Sequence, residues 1–168
     1  MTATDGGMTA APLRILQLYP KQDYFTGAAI QLRELAWGLR DRGHEVVVAT
    51  RPSAEWSART REAGLAHYEL AMASEVDLRS ARALVRILKK HRIQVVHAHK
   101  GRARTLALIA GLFVRIPALV LHRGVSFPLD PFNRLGYATR RVHAVIVVCE
   151  SIKRGLVARG IQIGRAHV

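Results

Sequence analysis

Short apolar runs of strand length alternate with stretches of helical periodicity along most of the chain, and this alternation limits the folds open to it. The runs are rich in valine, isoleucine and leucine, and the clearest of them, EVVVAT, lacks polar and apolar alternation. Such runs are typical of strands buried on both faces of a parallel sheet. They lie at 13–18, 45–50, 67–70, 95–98, 118–122 and 144–148. Six strands joined by helices predict right-handed crossovers and an α/β fold with a doubly wound, Rossmann-like parallel sheet.

The helical stretches between these runs have recognisable starts. Thr26 and Asp77 have side chains that can accept hydrogen bonds from free N–H groups of a first turn, which predicts helices over 27–42 and 78–91. Pro131 fits the first turn of another helix, because proline has no N–H to satisfy there. The other helices are predicted at 54–63, 103–114, 131–141 and 151–159.

The charge of the chain predicts an anionic partner. It has 26 lysines and arginines against 12 acidic residues, a formal net charge of +14. Such an excess attracts a nucleotide sugar, a lipid-linked diphosphate, a phospholipid surface or nucleic acid. The single cysteine, Cys149, forms no internal disulfide and is compatible with a reducing compartment. Residues 1–12 lack the basic start and apolar core of an export signal, so we expect a disordered leader and a cytoplasmic protein.

Ligands of doubly wound sheets bind outside the carboxyl ends of the strands. Gly27 lies where the first predicted strand has ended and a helix begins, so a ligand can approach the free N–H groups of the first turn. A neutral His122, after the fifth strand, can hydrogen-bond a sugar hydroxyl. Three basic residues near strand ends are candidates for contact with phosphate or an anionic acceptor: Lys100, Arg102 and Arg123.

Other classes of anion-binding protein lack their signatures here. Neither GxGxxG nor GxxxxGK[ST] follows the first strand, which excludes the usual dinucleotide and P-loop sites. A nucleic-acid-binding module is disfavoured, because there is no zinc knuckle or aromatic RNP-like strand and only 6% of residues are aromatic. His97 and His99 have a spacing that zinc ligands use, yet no cluster of cysteine or glutamate completes the set, so the sequence predicts no metal.

Five segments, in this order and spacing, resemble the amino-terminal domain of family 4 glycosyltransferases, which are retaining enzymes of the two-domain GT-B fold. The segments are RILQLYP, TGAAIQLRELAWGLRDRGHEVVVAT, IQVVHAHKGRARTLALIAG, LVLHRGVSFPL and AVIVVCESIKRGL. The resemblance covers residues 13–161. It implies the acceptor-side domain, one half of a GT-B enzyme.

The resemblance also implies roles for individual residues. Gly27, with Thr26, would approach the diphosphate and sugar of a nucleotide-sugar donor. His122 would lie beside the donor sugar at the reaction centre and is the candidate catalytic residue. The motif formed by His97 and His99 would border the acceptor cleft. No cofactor is implied beyond the nucleotide sugar itself.

The same resemblance implies a second domain, which holds the nucleotide through a basic pair and two glutamates seven residues apart. That domain is absent from this sequence, and residues 162–168 resemble a translated sequencing adapter. We therefore expect a truncated reading frame whose product is inactive alone. The parent is expected to use a lipid-linked or envelope-glycan acceptor, with possible docking on the anionic inner membrane face. The alternative is a basic module that binds nucleic acid or phospholipid without catalysis.

Overall fold

The computed structural model describes residues 11–124, 131–161 and 166–167. All its strands are parallel and form one sheet in the order β3-β2-β1-β4-β5-β6-β7. The strands are β1 (Arg14–Leu18), β2 (Glu45–Thr50), β3 (Ala66–Glu69), β4 (Val95–His99), β5 (Ala118–Arg123), β6 (Ala144–Val147) and β7 (Ala166–His167). The predicted doubly wound, Rossmann-like sheet is confirmed.

Helices cover the sheet on both faces. They are α1 (Gly27–Asp41), α2 (Ala54–Glu62), α3 (Leu78–Lys90), α4 (Lys100–Ala110), α5 (Pro131–Ala138) and α6 (Glu150–Val157). The first two helices bury Leu32 and Trp56 against one face. The later helices bury a larger core on the other face, which includes Leu84, Leu106 and Leu156. Each of these large side chains contributes about 1.5–3 kcal/mol by leaving water.

Hydrogen bonds at two helix starts confirm the predicted caps. The Thr26 hydroxyl accepts the N–H of Ala29 at 3.4 Å, and the Asp77 carboxylate accepts the N–H of Ser80 at 2.9 Å. Over the described ranges, no helix combines the length and the hydrophobicity that crossing a membrane requires.

The helices end one to four residues before their predicted ends, and two other differences concern the start of α4 and the carboxyl-terminal tail. The fourth helix was predicted at 103–114, but α4 begins at Lys100 because β4 leads into it without a loop and Lys100 takes a left-handed backbone, φ 69°. No element was predicted after residue 161, yet β7 lies within the predicted tail and pairs with β6. The expected leader lies almost wholly outside the residues that the structure describes.

Candidate functional site

Three histidine side chains lie together near the carboxyl edge of the sheet. His97 and His99 are two residues apart on β4, so their side chains point to the same face. Strand register places His99 opposite His122 of β5. The ring centroids of His97 and His99 are 4.2 Å apart, and those of His99 and His122 are 5.2 Å apart. We call these three residues the histidine cluster.

Burial keeps the histidine cluster neutral at physiological pH. The exposed fractions of the three residues are 4%, 1% and 6% in chain order. Because a charged imidazole loses its hydration there, burial lowers the pKa of His97 to about 3 and that of His99 well below its usual value. Burial, and then the nearby Lys100 ammonium, lower the pKa of His122. A neutral imidazole offers one N–H donor and one lone pair, which suits a sugar hydroxyl.

Gln17 fixes the proton position on one of these rings. It lies in β1 beside His97 in register and is completely buried. Its Oε1 is 2.9 Å from Nε2 of His99. In this orientation of the Gln17 amide its oxygen accepts from His99, so Nε2 of His99 carries the proton and Nδ1 carries the lone pair. The sequence analysis did not identify Gln17, although a glutamine inside the apolar run RILQL was a usable signal.

The first turn of α1 faces open space beside this cluster. Gly27 is exposed, and a Cβ placed on it would have no atom within 4 Å. Thr26 hydrogen-bonds the hydroxyl of buried Tyr19 at 3.1 Å. The Tyr19 ring in turn packs edge-on against His99, with centroids 6.4 Å apart. Tyr19 therefore connects the start of α1 to the histidine cluster, and the free N–H groups of that turn remain available to an anion.

Lys100 brings a positive charge to the same edge. Its Nζ lies 6.0 Å from the centroid of the Tyr19 ring. Burial, and then the neighbouring Lys21, lower its pKa. The side chain also lines a cleft of about 430 Å³ with mixed charge. The other residues that line the cleft are Pro20, Lys21, Gln22, Asp23, Arg51, Glu75 and Arg102.

The remaining two basic candidates have structural partners. The Arg102 guanidinium donates to the carbonyl of Met72 at 3.0 Å and lies 3.7 Å from the Glu75 carboxylate. The Arg123 guanidinium lies 5.5 Å from the centroid of the buried Tyr137 ring. Because strand side chains alternate, Arg123 points to the face opposite that of the preceding histidine. The structure thus brings together the histidine cluster, Thr26, Gly27 and Lys100, and places Arg123 apart from them.

The chain is similar to known proteins both in sequence pattern and in fold. The family model of Glycosyltransferase Family 4 matches residues 25–168. The crystal structure of a glycosyltransferase from Rickettsia africae ESF-5 has a TM-score of 0.75 and 17% identity, covering 95% of this chain and 43% of that chain. Anabaena Alr3699/HepE in complex with UDP-glucose has a TM-score of 0.71 and 19% identity, covering 93% and 43%. The S. aureus MnaA–UDP structure has a TM-score of 0.68 and 11% identity, covering 93% and 44%.

The solved structures establish only the fold of this chain, whereas the family model establishes its family. A search of curated proteins finds no match. At 11–19% identity the solved structures share the fold alone, and this chain spans less than half the length of each. The family model, in contrast, matches most of the chain, including every residue of the histidine cluster. We conclude that the chain belongs to glycosyltransferase family 4.

Proposed function

We propose that this chain is the acceptor-side domain of a retaining glycosyltransferase that takes its sugar from a nucleotide-sugar donor. The observation that carries the proposal is the chain of contacts that links neutral His122 through His99 and Tyr19 to the open first turn of α1. Anabaena Alr3699/HepE was solved with UDP-glucose and S. aureus MnaA with UDP, which supports a nucleotide sugar as donor. In this proposal a second domain holds the nucleotide during the reaction.

Each site residue has a proposed role in this reaction. Cleavage of the sugar–phosphate bond leaves negative charge on the diphosphate, which the N–H groups at Gly27 and the cap Thr26 would stabilise. His122 hydrogen-bonds a hydroxyl of the donor sugar, and its neutral state leaves it able to donate or accept. The Lys100 ammonium adds positive charge near the same edge.

The acceptor is proposed to lie over the other half of the cluster. His97 and His99 would border its binding cleft, and Arg102 would contact a phosphate after leaving Glu75. Arg123 is a weaker candidate because its guanidinium packs on Tyr137. We propose that transfer needs no metal ion or organic cofactor, since a helix amino terminus and basic side chains can stabilise the departing diphosphate.

A lipid-linked or envelope-glycan acceptor is supported by the surface charge. The outer face of α3 and the turn after it carry six exposed basic side chains, and this face suits the anionic inner surface of a membrane. They are Arg79, Arg82, Arg86, Lys89, Lys90 and Arg92. We propose a cytoplasmic enzyme that contacts the membrane surface through this face.

The test uses protein expressed from the complete reading frame that encodes this domain. We expect the enzyme to transfer sugar from a UDP-sugar and to retain the anomeric configuration. NMR of the product measures this configuration. His122→Asn should lower the rate on the order of 100-fold, whereas the exposed His143→Asn should leave it unchanged. If no nucleotide sugar is turned over or bound, the domain is better described as a basic anion-binding module, for which the net charge of +14 is the supporting observation.

A further inference from the structure

We propose that the histidine cluster is also a binding site for a divalent transition-metal ion of the zinc type. The ion is not needed for transfer. A bound ion coordinates the ring nitrogen of His122 and thereby inhibits the enzyme. Only this inhibition rests on the proposed function; the binding site itself does not.

The geometry brings three possible ligand atoms together. One ring nitrogen from each of His97, His99 and His122 lies within 4.8 Å of the others. Three imidazoles around an open fourth position form a set that zinc uses, with water completing the tetrahedron. The sequence argued against metal because it supplied only two ligands on β4. The third ligand comes from β5, through a strand pairing that spacing along the chain does not reveal.

Two ring nitrogens of the histidine cluster are buried without a partner. Nδ1 of His99 and Nε2 of His97 make no hydrogen bond within the described part of the chain. The Gln17 hydrogen bond leaves a lone pair on Nδ1 of His99, as a metal ligand requires. Burying a polar nitrogen without a partner costs about 1–3 kcal/mol. A bound cation would remove that cost at both rings.

Four other histidines, His44, His67, His91 and His143, each have a ring nitrogen in a hydrogen bond. Nδ1 of His44 accepts the N–H of Leu13 at 3.1 Å, and Nδ1 of His143 accepts that of Leu119 at 3.1 Å. His67 contacts hydroxyl groups through both nitrogens, at 2.9 and 3.2 Å. The unpartnered nitrogens are therefore a local property of the histidine cluster and not of histidines throughout this fold.

The surroundings both support and oppose the ion. Metal-bound histidines usually donate their second N–H to a fixed acceptor, and Gln17 already provides this for His99. Lys100 opposes the ion, because it directly follows His99 and its ammonium lies 6.0 Å from the centroid of the Tyr19 ring, which packs against His99. Lys100 therefore predicts the direction of a change in metal affinity: removing its charge should tighten metal binding.

The experiment titrates the 168-residue chain with Zn²⁺ in competition with a chromophoric chelator. We expect one ion per chain. His97→Asn and His122→Asn should each weaken binding by about 10- to 100-fold or more, and the control His143→Asn should not. Lys100→Gln should strengthen binding. Co²⁺ provides a spectroscopic readout, since tetrahedral coordination by three imidazoles gives intense visible absorption that both cluster variants should lose.

The outcomes separate the two proposals. Absence of Zn²⁺ binding by the folded wild-type chain, or unchanged binding in both cluster variants, would overturn the metal site. Weaker binding in Lys100→Gln would also overturn it, because a dication cannot gain from a nearby ammonium. Circular dichroism checks that each variant is folded, and two separate cluster variants guard against one misfolding. None of these readouts needs transferase activity. Inhibition by Zn²⁺ and its reversal by EDTA are then measured on the complete enzyme.

Discussion

The ring of His99 stacks on the ring of His122, with centroids 5.2 Å apart and ring planes inclined by 29°. The stack exists because β4 and β5 pair with these two residues opposite each other. A shift of one residue in that register would turn His122 to the other face of the sheet. The contact between the neutral rings of His99 and His122 therefore depends on the pairing of β4 with β5. Substitutions of single side chains can test the site that this pairing forms.

The free energy of unfolding should fall as the pH falls below about 6.5. The pKa of His97 is about 3 in the folded protein and 6.5 ordinarily, so in this range the unfolded state binds the extra proton. For this residue we expect a loss of about 1.4 kcal/mol per pH unit until the folded-state pKa is approached. Urea unfolding at several pH values, with EDTA present, measures the slope. His97→Gln should show a shallower slope, and an identical slope would contradict the assignment.

Gly27→Ala should leave stability unchanged or raise it by up to about 1 kcal/mol, because alanine favours a helix and the added Cβ meets no atom within 4 Å. The same change should weaken donor binding if the diphosphate approaches this backbone. Thermal unfolding of the complete enzyme tests the effect on stability. The KM for the nucleotide sugar tests the effect on donor binding. Gly38→Ala, in the middle of α1, is the matched control. It should leave KM unchanged, and an equal effect on KM would argue against donor contact at Gly27.

Lys100→Gly should separate stability from activity. Lys100 has φ 69°, a left-handed conformation that costs a lysine about 1 kcal/mol more than a glycine. We expect the variant to be as stable as the wild type or more so, while transfer slows on the order of 100-fold through loss of the ammonium. Arg92→Gly is the control for backbone strain in the stability measurement, since Arg92 has φ 47° but precedes β4 at the opposite edge of the sheet. A variant Lys100→Gly with full activity would remove Lys100 from the site.

Asp77→Ala should lower the free energy of unfolding by about 1 kcal/mol, because the carboxylate caps α3. The same carboxylate accepts the N–H of Ala73 at 3.1 Å and the hydroxyl of Ser80 at 2.8 Å. It therefore also holds the loop that carries Glu75, the partner of Arg102. Urea denaturation measures the loss. Asp77→Asn keeps an acceptor oxygen and should recover most of the stability; no difference between the two variants would show that the cap contributes little.

The sequence predicted the order of strands and helices well because that information is local. Val46–Ala49 are buried in β2, as their unbroken apolar pattern required. Thr26 and Asp77 cap the helices that their side chains predicted. The site was less predictable, since it depends on contacts between distant segments. His99 and Gln17 are 82 residues apart in the chain, and their hydrogen bond follows from the adjacency of β1 and β4.

The contact of Arg123 with phosphate or acceptor stays a prediction, although its side chain points to the face opposite that of His122 because successive strand residues alternate. One error of detail has a physical reason. The start of α4 was placed three residues late, because glycine and basic residues at 101–102 look like a loop, and no propensity rule expects a lysine in the left-handed region at the start of a helix.

The direct junction between His99 and Lys100 also restricts how this region can evolve. With no loop residue between β4 and α4, a one-residue insertion would rotate the whole helix by about 100° about its axis. Three helix residues that are now completely or almost completely buried would then leave the core: Ala103, Leu106 and Ala107. Insertions and deletions should therefore be rare at this junction in homologous chains, and length differences should collect in longer connections such as residues 70–77. In sequence comparison, the segment from Val95 to Ala110 can serve as an ungapped anchor for alignment.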